Sequence, residues 1–269
     1  MKIFLPVFLL AVLFYSCSRG PYADANKSYK KQAKNFADVL TQTPPTDSLT
    51  QIAGTWVGTT NFNMRKPNFV IIHHTAQNSC DETLKTFTMH TTQVSAHYVI
   101  CKDGSVHHML NDYLRAWHGG VAKWGNNTDI NSSSIGIEID NNGVDTFAAA
   151  QINTLLQLLA NLKKAYAIPS ANFIGHADIA PTRKNDPNVT FPWKKLANAG
   201  FGLWWNDTTG VSVPQGFTPL QALRIIGYDI RDSSAVIQSF NRKFLQYEGP
   251  GTLTEEGRKI LYTLYRKYE

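Results

Sequence analysis

Eight histidines are spread along the 269-residue chain, and local context sets three positions apart. His73 and His74 follow the apolar run Phe69-Val70-Ile71-Ile72, where a strand ends and side chains leave a sheet for a cleft. His176 follows Asn172-Phe173-Ile174-Gly175 in the same way, and Asp186 comes ten residues later in a segment stiffened by Pro181 and Pro187. Two neutral imidazoles and one carboxylate form a three-ligand set with an open fourth position, which is the arrangement of catalytic rather than structural zinc. Water in such a position has a pKa near ~7 and yields hydroxide at neutral pH. Spacing alone leaves the bland reading open, because a lone strand-end histidine is more often a satisfied structural residue.

The elements that must position these groups are legible from periodicity. Asp81-Glu82-Thr83-Leu84 reads as a helix start after the first strand. Ala96 to Cys101 and Ser105 to Leu110 flank Lys102-Asp103-Gly104, whose Asp-Gly is a strong hairpin signal. Ser134-Ile135-Gly136-Ile137-Glu138-Ile139 alternates as a strand, and Ile152, Leu155, Leu156, Leu159, Leu162 and Tyr166 recur at helical spacing before Pro169. After His176 the chain is Pro-, Asn- and Asp-rich through Trp193 and reads as loop. Three short helical patterns follow, Leu220 to Ile226, Val236 to Phe244 and Ile260 to Tyr268, with Thr252 and Glu255 spaced as a capping box before the last. The expected class is α/β, a mixed central β-sheet flanked by helices and followed by a small three-helix domain.

Composition bounds the function classes. Hydrophobic residues make up 43% and charged residues 17%, which excludes a disordered chain and a polytopic membrane protein. A net charge of +6 suits an anionic polymer or a membrane surface, but it is too small and scattered to indicate nucleic acid. Three cysteines exclude a disulfide scaffold, and no CxxC pair suggests a zinc knuckle.

Five segments occur in a telling order: Phe69-Val70-Ile71-Ile72-His73-His74-Thr75-Ala76, Ser95-Ala96-His97-Tyr98-Val99-Ile100, Arg115-Ala116-Trp117-His118-Gly119-Gly120, Ser134-Ile135-Gly136-Ile137-Glu138, and Gly175-His176-Ala177-Asp178-Ile179-Ala180-Pro181-Thr182-Arg183-Lys184-Asn185-Asp186-Pro187. Together they resemble the zinc-dependent N-acetylmuramoyl-L-alanine amidases, a family related to phage lysozyme amidases and peptidoglycan-recognition proteins. The resemblance spans about residues 68 to 193. It implies that His73, His176 and Asp186 bind Zn2+, with His74 a neighbour and not a ligand. It implies that Glu138 is the catalytic glutamate, a general base that later protonates the leaving amine. Lys184 matches the lysine that steadies negative charge on the carbonyl oxygen.

Departures from the family pattern carry information too. Ala96 stands where the phage branch has a catalytic tyrosine, so the chain falls in the glutamate-using branch. Asp186 keeps the third ligand that recognition-only relatives lose. Asn188 replaces a frequent glycine. Trp117 and His118, in a Gly-bounded loop, are expected to contact glycan or stem peptide, against the alternative of a packed loop, and His97 is expected to face the cleft. His90, His107 and His108 read as structural or surface residues. The tail, with Leu220-Gln221-Ala222-Leu223, Gly227-Tyr228, Phe240 and Phe244, resembles a helical peptidoglycan-binding domain.

The implied activity is hydrolysis of the amide between the lactyl group of N-acetylmuramic acid and L-Ala of the stem peptide. Two other readings stay open, a non-catalytic peptidoglycan-recognition module and a zinc peptidase cutting within the stem. Peptidoglycan or muropeptides are the expected partners, and the sequence is silent on oligomeric state.

At the N-terminus, Lys2 precedes an apolar run from Ile3 to Tyr15, shorter than the ~20 residues of a bilayer span. It reads as a signal-peptide core. Leu13-Phe14-Tyr15-Ser16-Cys17-Ser18 resembles a bacterial lipoprotein signal, with lipidation at Cys17; an ordinary secretory signal is the alternative. The expected organisation is a signal peptide over 1–17, a polar tether over 18–50 that carries at most a short helix, a catalytic domain over 51–205 and a helical peptidoglycan-binding-like domain over 206–269. The lipid would hold the chain on a membrane, outer-membrane-anchored and facing the periplasm. In that oxidising compartment Cys80 and Cys101 either bridge or remain separate thiols.

Overall fold

The computed structural model describes residues 20–42, 57–64 and 66–268, in two compact units divided after Thr60. The signal segment and Cys17 lie outside the described residues. In the first unit, the tether region contains α1 (Ala23–Leu40), an 18-residue helix that is longer than the polar composition suggested. Ala25, Tyr29, Ala33, Phe36 and Leu40 recur along one face of it, with Lys27, Lys31 and Lys34 on the other, and none of its residues is buried. Among the described residues no helix is long and apolar enough to cross a membrane.

The second unit is built on a five-stranded sheet. Its strands are β1 (Phe69–His74), β2 (Tyr98–Ile100), β3 (Val106–His108), β4 (Ser134–Ile139) and β5 (Phe173–Gly175), in the spatial order β3-β2-β4-β1-β5. Strands β2, β4, β1 and β5 run parallel, and β3 returns antiparallel on the edge. The Asp103-Gly104 turn makes that reversal, with Gly104 at φ 88°. The hairpin strands are shorter than their apolar runs, and bonds from Cys101 N–H to the Ser105 carbonyl and from Met109 N–H to the His97 carbonyl continue the pairing just beyond them.

The two middle strands, β1 and β4, are buried along nearly their whole length, as parallel strands covered on both faces must be. One cover is α4 (Ala149–Tyr166), which turns Ile152, Leu155, Leu159 and Leu162 inward. Each such aliphatic side chain contributes roughly 1.5–3 kcal/mol on full burial. Gln151 fixes the start of the helix: its carbonyl accepts Ala148 N–H at 3.0 Å, and its amide donates to the Asp140 carbonyl at 2.8 Å.

The helix start read at Asp81 is α2 (Cys80–Thr88), capped by Ser79, whose hydroxyl accepts Glu82 N–H. A disulfide joins Cys80 to Cys101 with Cα atoms 5.3 Å apart, pinning α2 to the end of β2. The short α3 (Ile130–Ser133) leads into β4, and the segment after β5 opens with α5 (His176–Ile179) rather than loop. Helix α6 (Trp193–Asn198) ends that stretch.

The C-terminal helices are α7 (Pro219–Ile226), α8 (Ser233–Phe240), which continues as a π turn over Asn241–Leu245, and α9 (Glu255–Tyr265). The cap of α9 is Thr254, not Thr252. Its hydroxyl accepts Gly257 N–H at 3.0 Å, so the expected box is replaced by a single cap two residues later. Leu223, Val236, Phe240, Leu261 and Leu264 belong to the same buried cluster as Phe173, Phe191 and Trp193, so these helices and the sheet share one core.

Candidate active site

Parallel pairing sets the site. In the β1–β4 register His73 stands opposite Glu138, so both side chains leave the same face at the C-terminal end of the sheet, where clefts form in α/β folds. His176, the first residue of α5, arrives from the strand on the other side of β1. Asp186 is brought back by a hydrogen bond from Ala177 N–H to its own carbonyl at 2.8 Å, and a cis peptide bond to Pro187 follows it.

Three side-chain atoms converge there. His73 Nδ1 lies 2.9 Å from His176 Nδ1 and 3.1 Å from Asp186 Oδ2, and His176 Nδ1 lies 3.0 Å from the same oxygen. All three residues are buried. Their surroundings decide which atoms carry protons. Ser134 Oγ donates to the Ile130 carbonyl at 2.6 Å, so His118 Nε2–H must donate to Ser134 Oγ at 3.1 Å. His118 Nδ1 is then an acceptor, and it receives His73 Nε2–H at 3.1 Å. On the other side His176 Nε2–H donates to the Gly119 carbonyl at 3.1 Å.

Both inward nitrogens are therefore lone pairs, facing a carboxylate oxygen. Three acceptors within 3.1 Å cannot satisfy one another, and the donor set fits a cation with nitrogen and oxygen ligands. Burial, and next the neighbouring His176, lower the His73 pKa to about 4, which keeps its ring neutral.

Glu138 completes the site. Its Oε1 is 3.9 Å from His73 Nδ1, and its buried Oε2 has no hydrogen-bond partner among the described residues. Burial, and next the Asp186 charge, raise its pKa to about 8 against the opposing pull of Lys184. The half-buried Lys184 follows a tight turn, with its N–H on the Ala180 carbonyl, and its charge is felt at His73 and at Glu138.

His74 faces away from the triangle. Its Nδ1 accepts Asn188 N–H at 3.1 Å, so it ties β1 to the loop after Asp186. Trp117, the residue before His118, is 46% exposed.

Two expectations are corrected. His97 is fully buried and unavailable to substrate: its Nε2–H donates to the Leu114 carbonyl at 3.0 Å, and its Nδ1 accepts Gly136 N–H at 3.0 Å. His118 is also buried, with both nitrogens committed to His73 and Ser134. It stands behind His73 rather than in the cleft.

Sequence reasoning missed the parts of this support. Asn131 Oδ1 accepts the backbone N–H of His118 and of Gly119, and Arg183 donates to the Gly119 and Val121 carbonyls. Gly136 is the clearest case, because a Cβ there would lie 2.5 Å from Cγ of His118. A glycine inside an apolar strand is the available signal for such close approach.

Comparisons with known proteins give the chain a family. The family model described as N-acetylmuramoyl-L-alanine amidase matches residues 63–189. AmiD of Escherichia coli, an N-acetylmuramoyl-L-alanine amidase, is 32% identical over 230 residues, which cover 74% of this chain and 82% of AmiD. The chain belongs to the N-acetylmuramoyl-L-alanine amidase family. Among solved structures of this amidase family, E. coli AmiD in complex with anhydro-N-acetylmuramic acid-L-Ala-D-gamma-Glu-L-Lys has a TM-score of 0.69 at 29% identity, covering 83% of this chain and 94% of AmiD. AmpDh3 of Pseudomonas aeruginosa in complex with anhydromuramic pentapeptide has a TM-score of 0.70 at 30% identity, covering 82% of this chain and 99% of AmpDh3. Both proteins are alike to this chain well beyond residues 63–189.

Proposed function

We propose that this amidase is zinc-dependent and hydrolyses the amide between the lactyl group of N-acetylmuramic acid and L-Ala of peptidoglycan stem peptides. The observation that carries the reading is a triangle of three inward lone pairs on His73, His176 and Asp186, beside a buried carboxylate with an unpartnered oxygen. The anhydro-muramyl peptides bound in the AmiD and AmpDh3 complexes support a muropeptide substrate.

Zinc, when bound, supplies Lewis acidity at the scissile carbonyl and lowers the pKa of water. Burial raises the Glu138 pKa to about 8, and positive charge held in the triangle, 3.9 Å away, would favour its carboxylate form. As carboxylate it accepts a proton from the attacking water and passes it to the departing L-Ala amine. Lys184, whose charge acts on both His73 and Glu138, is assigned to stabilising the oxyanion that develops on the carbonyl oxygen. Trp117 offers an aromatic face to sugar or peptide at the rim.

A recognition module without turnover would have no use for an unpartnered buried carboxylate beside three metal donors. The test is a muropeptide digest followed by mass spectrometry, with and without chelator. Release of peptides with a free L-Ala amine, stopped by chelation and restored by zinc, is the expected result. Fragments cut within the stem would replace the reading with a peptidase, and binding without cleavage would replace it with recognition.

The proposal extends to the cell envelope. Cys17 at the end of an apolar leader supports lipidation and a periplasm-facing membrane anchor, with α1 as a spacer, and the helices of 206–269 are assigned to peptidoglycan contact. Cys17→Ala is expected to move the protein from the membrane fraction to the soluble one.

A further inference from the structure

The C-terminal helices send a lysine into the layer directly behind the ligands. Lys243, on the π turn after α8, is 5% exposed, and its Nζ lies 2.6 Å from Oδ2 of Asp178, which is 2% exposed. Asp178 sits in α5, two residues after His176. The same Oδ2 accepts Gly175 N–H at 2.8 Å, so the carboxylate holds the first peptide of the turn that carries His176. Oδ1 accepts Tyr228 OH at 2.7 Å and Ser239 Oγ at 3.4 Å. The Lys243 ammonium also lies 4.3 Å from the ring centroid of Trp193. Between these groups is a cavity of only about 10 Å³, lined among others by Asp178, Asp186, Trp193 and Lys243, so the second ligand segment is packed on the same cluster.

An ion pair this deeply buried is a poor source of stability, because desolvation offsets most of its attraction. It does fix geometry. Removing Lys243 leaves a buried carboxylate whose only remaining strong donors are Tyr228 and the Gly175 amide, and α5 would have to turn to find others.

We propose that Lys243 and Tyr228 are positioning residues for the metal ligands, acting through Asp178 on His176 and through the shared packing on Asp186. The C-terminal helices are then part of the hydrolytic site's framework, whatever contact they make with peptidoglycan. This rests on the zinc reading above, and the experiment separates the two.

Zinc affinity is measured on the full chain by chelator competition, together with kcat, KM and the unfolding midpoint, for wild type, Lys243→Met, Tyr228→Phe and Leu264→Ala. Leu264→Ala, which empties part of the α9 core without touching Asp178, is the control for simple loss of stability. Lys243→Met is expected to weaken zinc binding on the order of tenfold, the size seen when outer-shell partners are removed, and to lower kcat with KM little changed. Tyr228→Phe keeps the ring and loses one hydrogen bond, so it covers the case in which Lys243→Met does not fold, with a smaller effect in the same direction. Leu264→Ala should lose midpoint but keep zinc affinity. If wild type binds no zinc, the zinc reading fails. If wild type binds zinc and both Asp178-partner variants bind it equally well with unchanged kcat, the positioning role is overturned.

Discussion

His73 and Glu138 are partners in register on adjacent parallel strands, and their side chains approach to 3.9 Å between Nδ1 and Oε1. The proposed ligand and the proposed proton acceptor are thereby fixed by backbone hydrogen bonding rather than by a loop. Glu138→Gln keeps the shape and removes the base. It should retain stoichiometric zinc by elemental analysis while kcat falls by roughly 10²–10⁴-fold. Near-normal turnover in that variant would remove Glu138 from the mechanism.

The same carboxyl predicts a pH dependence in the metal-free protein. Burial first, then the Asp186 charge, raises Glu138 from 4.5 to about 8. An acid raised on folding contributes stability that is complete below its unfolded value and is lost as pH rises through its folded one. The midpoint advantage of Glu138→Gln over wild type should therefore grow between about pH 5 and pH 8. His73 acts in the opposite sense, since its folded value of about 4 makes a contribution present above 6.5 that is lost as pH falls, but it is common to both proteins and cancels. A flat difference would mean that Glu138 is solvated.

His118→Ala strands the Nε2–H of His73 and releases its tautomer. Zinc affinity is expected to fall by roughly 10–100-fold, measured by chelator competition, with KM for muropeptide unaffected by any direct contact. A rise in KM at constant zinc affinity would return His118 to the cleft.

Gly136→Ala drives a methyl group into the His118 ring, where the Cβ would be 2.5 Å from Cγ. Strand and ring must both shift, so destabilisation of about 1–3 kcal/mol is expected by denaturant titration, accompanied by weaker zinc binding. An unchanged midpoint would show that His118 has room to move.

The Cys80–Cys101 disulfide closes a loop across a sequence separation of 21 and pins α2 to the sheet. Cys80→Ala, or thiol reduction of wild type, should lower stability by about 3 kcal/mol, read as a shift in the unfolding midpoint.

How far the molecule was readable from its sequence depended on the range of the interaction. Strands β1 and β4 announce themselves because Ile135, Ile137 and Ile139 alternate and Phe69 to Ile72 are continuously apolar, and these local patterns also bring His73 and Glu138 to strand ends. Helix α4 is equally plain, since its buried face repeats at helical spacing. The misreadings concern partners distant in sequence. The strand pattern of His97 tells which face it takes, but not that the Leu114 carbonyl and the Gly136 amide use up both nitrogens. His118 looks like a surface aromatic in a glycine loop until Gly136 is known to lie under it. Lys243 gives no local hint at all, because a lysine in a helical pattern ordinarily points to water, and its carboxylate partner is 65 residues away.

The ligand triangle has a last consequence, for the fate of the chain as a whole. His73 and His176 are separated by 103 positions but follow neighbouring strands, so an ion held between them would staple two strands that are distant in the chain. By mass action such a staple favours the folded state by RT ln(1 + [L]/Kd), about 2.7 kcal/mol when free metal is a hundredfold above Kd. Starving the surroundings of zinc would then do more than silence turnover. On the zinc reading it would loosen the fold, expose the chain to proteolysis, and let the abundance of the amidase track the supply of the metal.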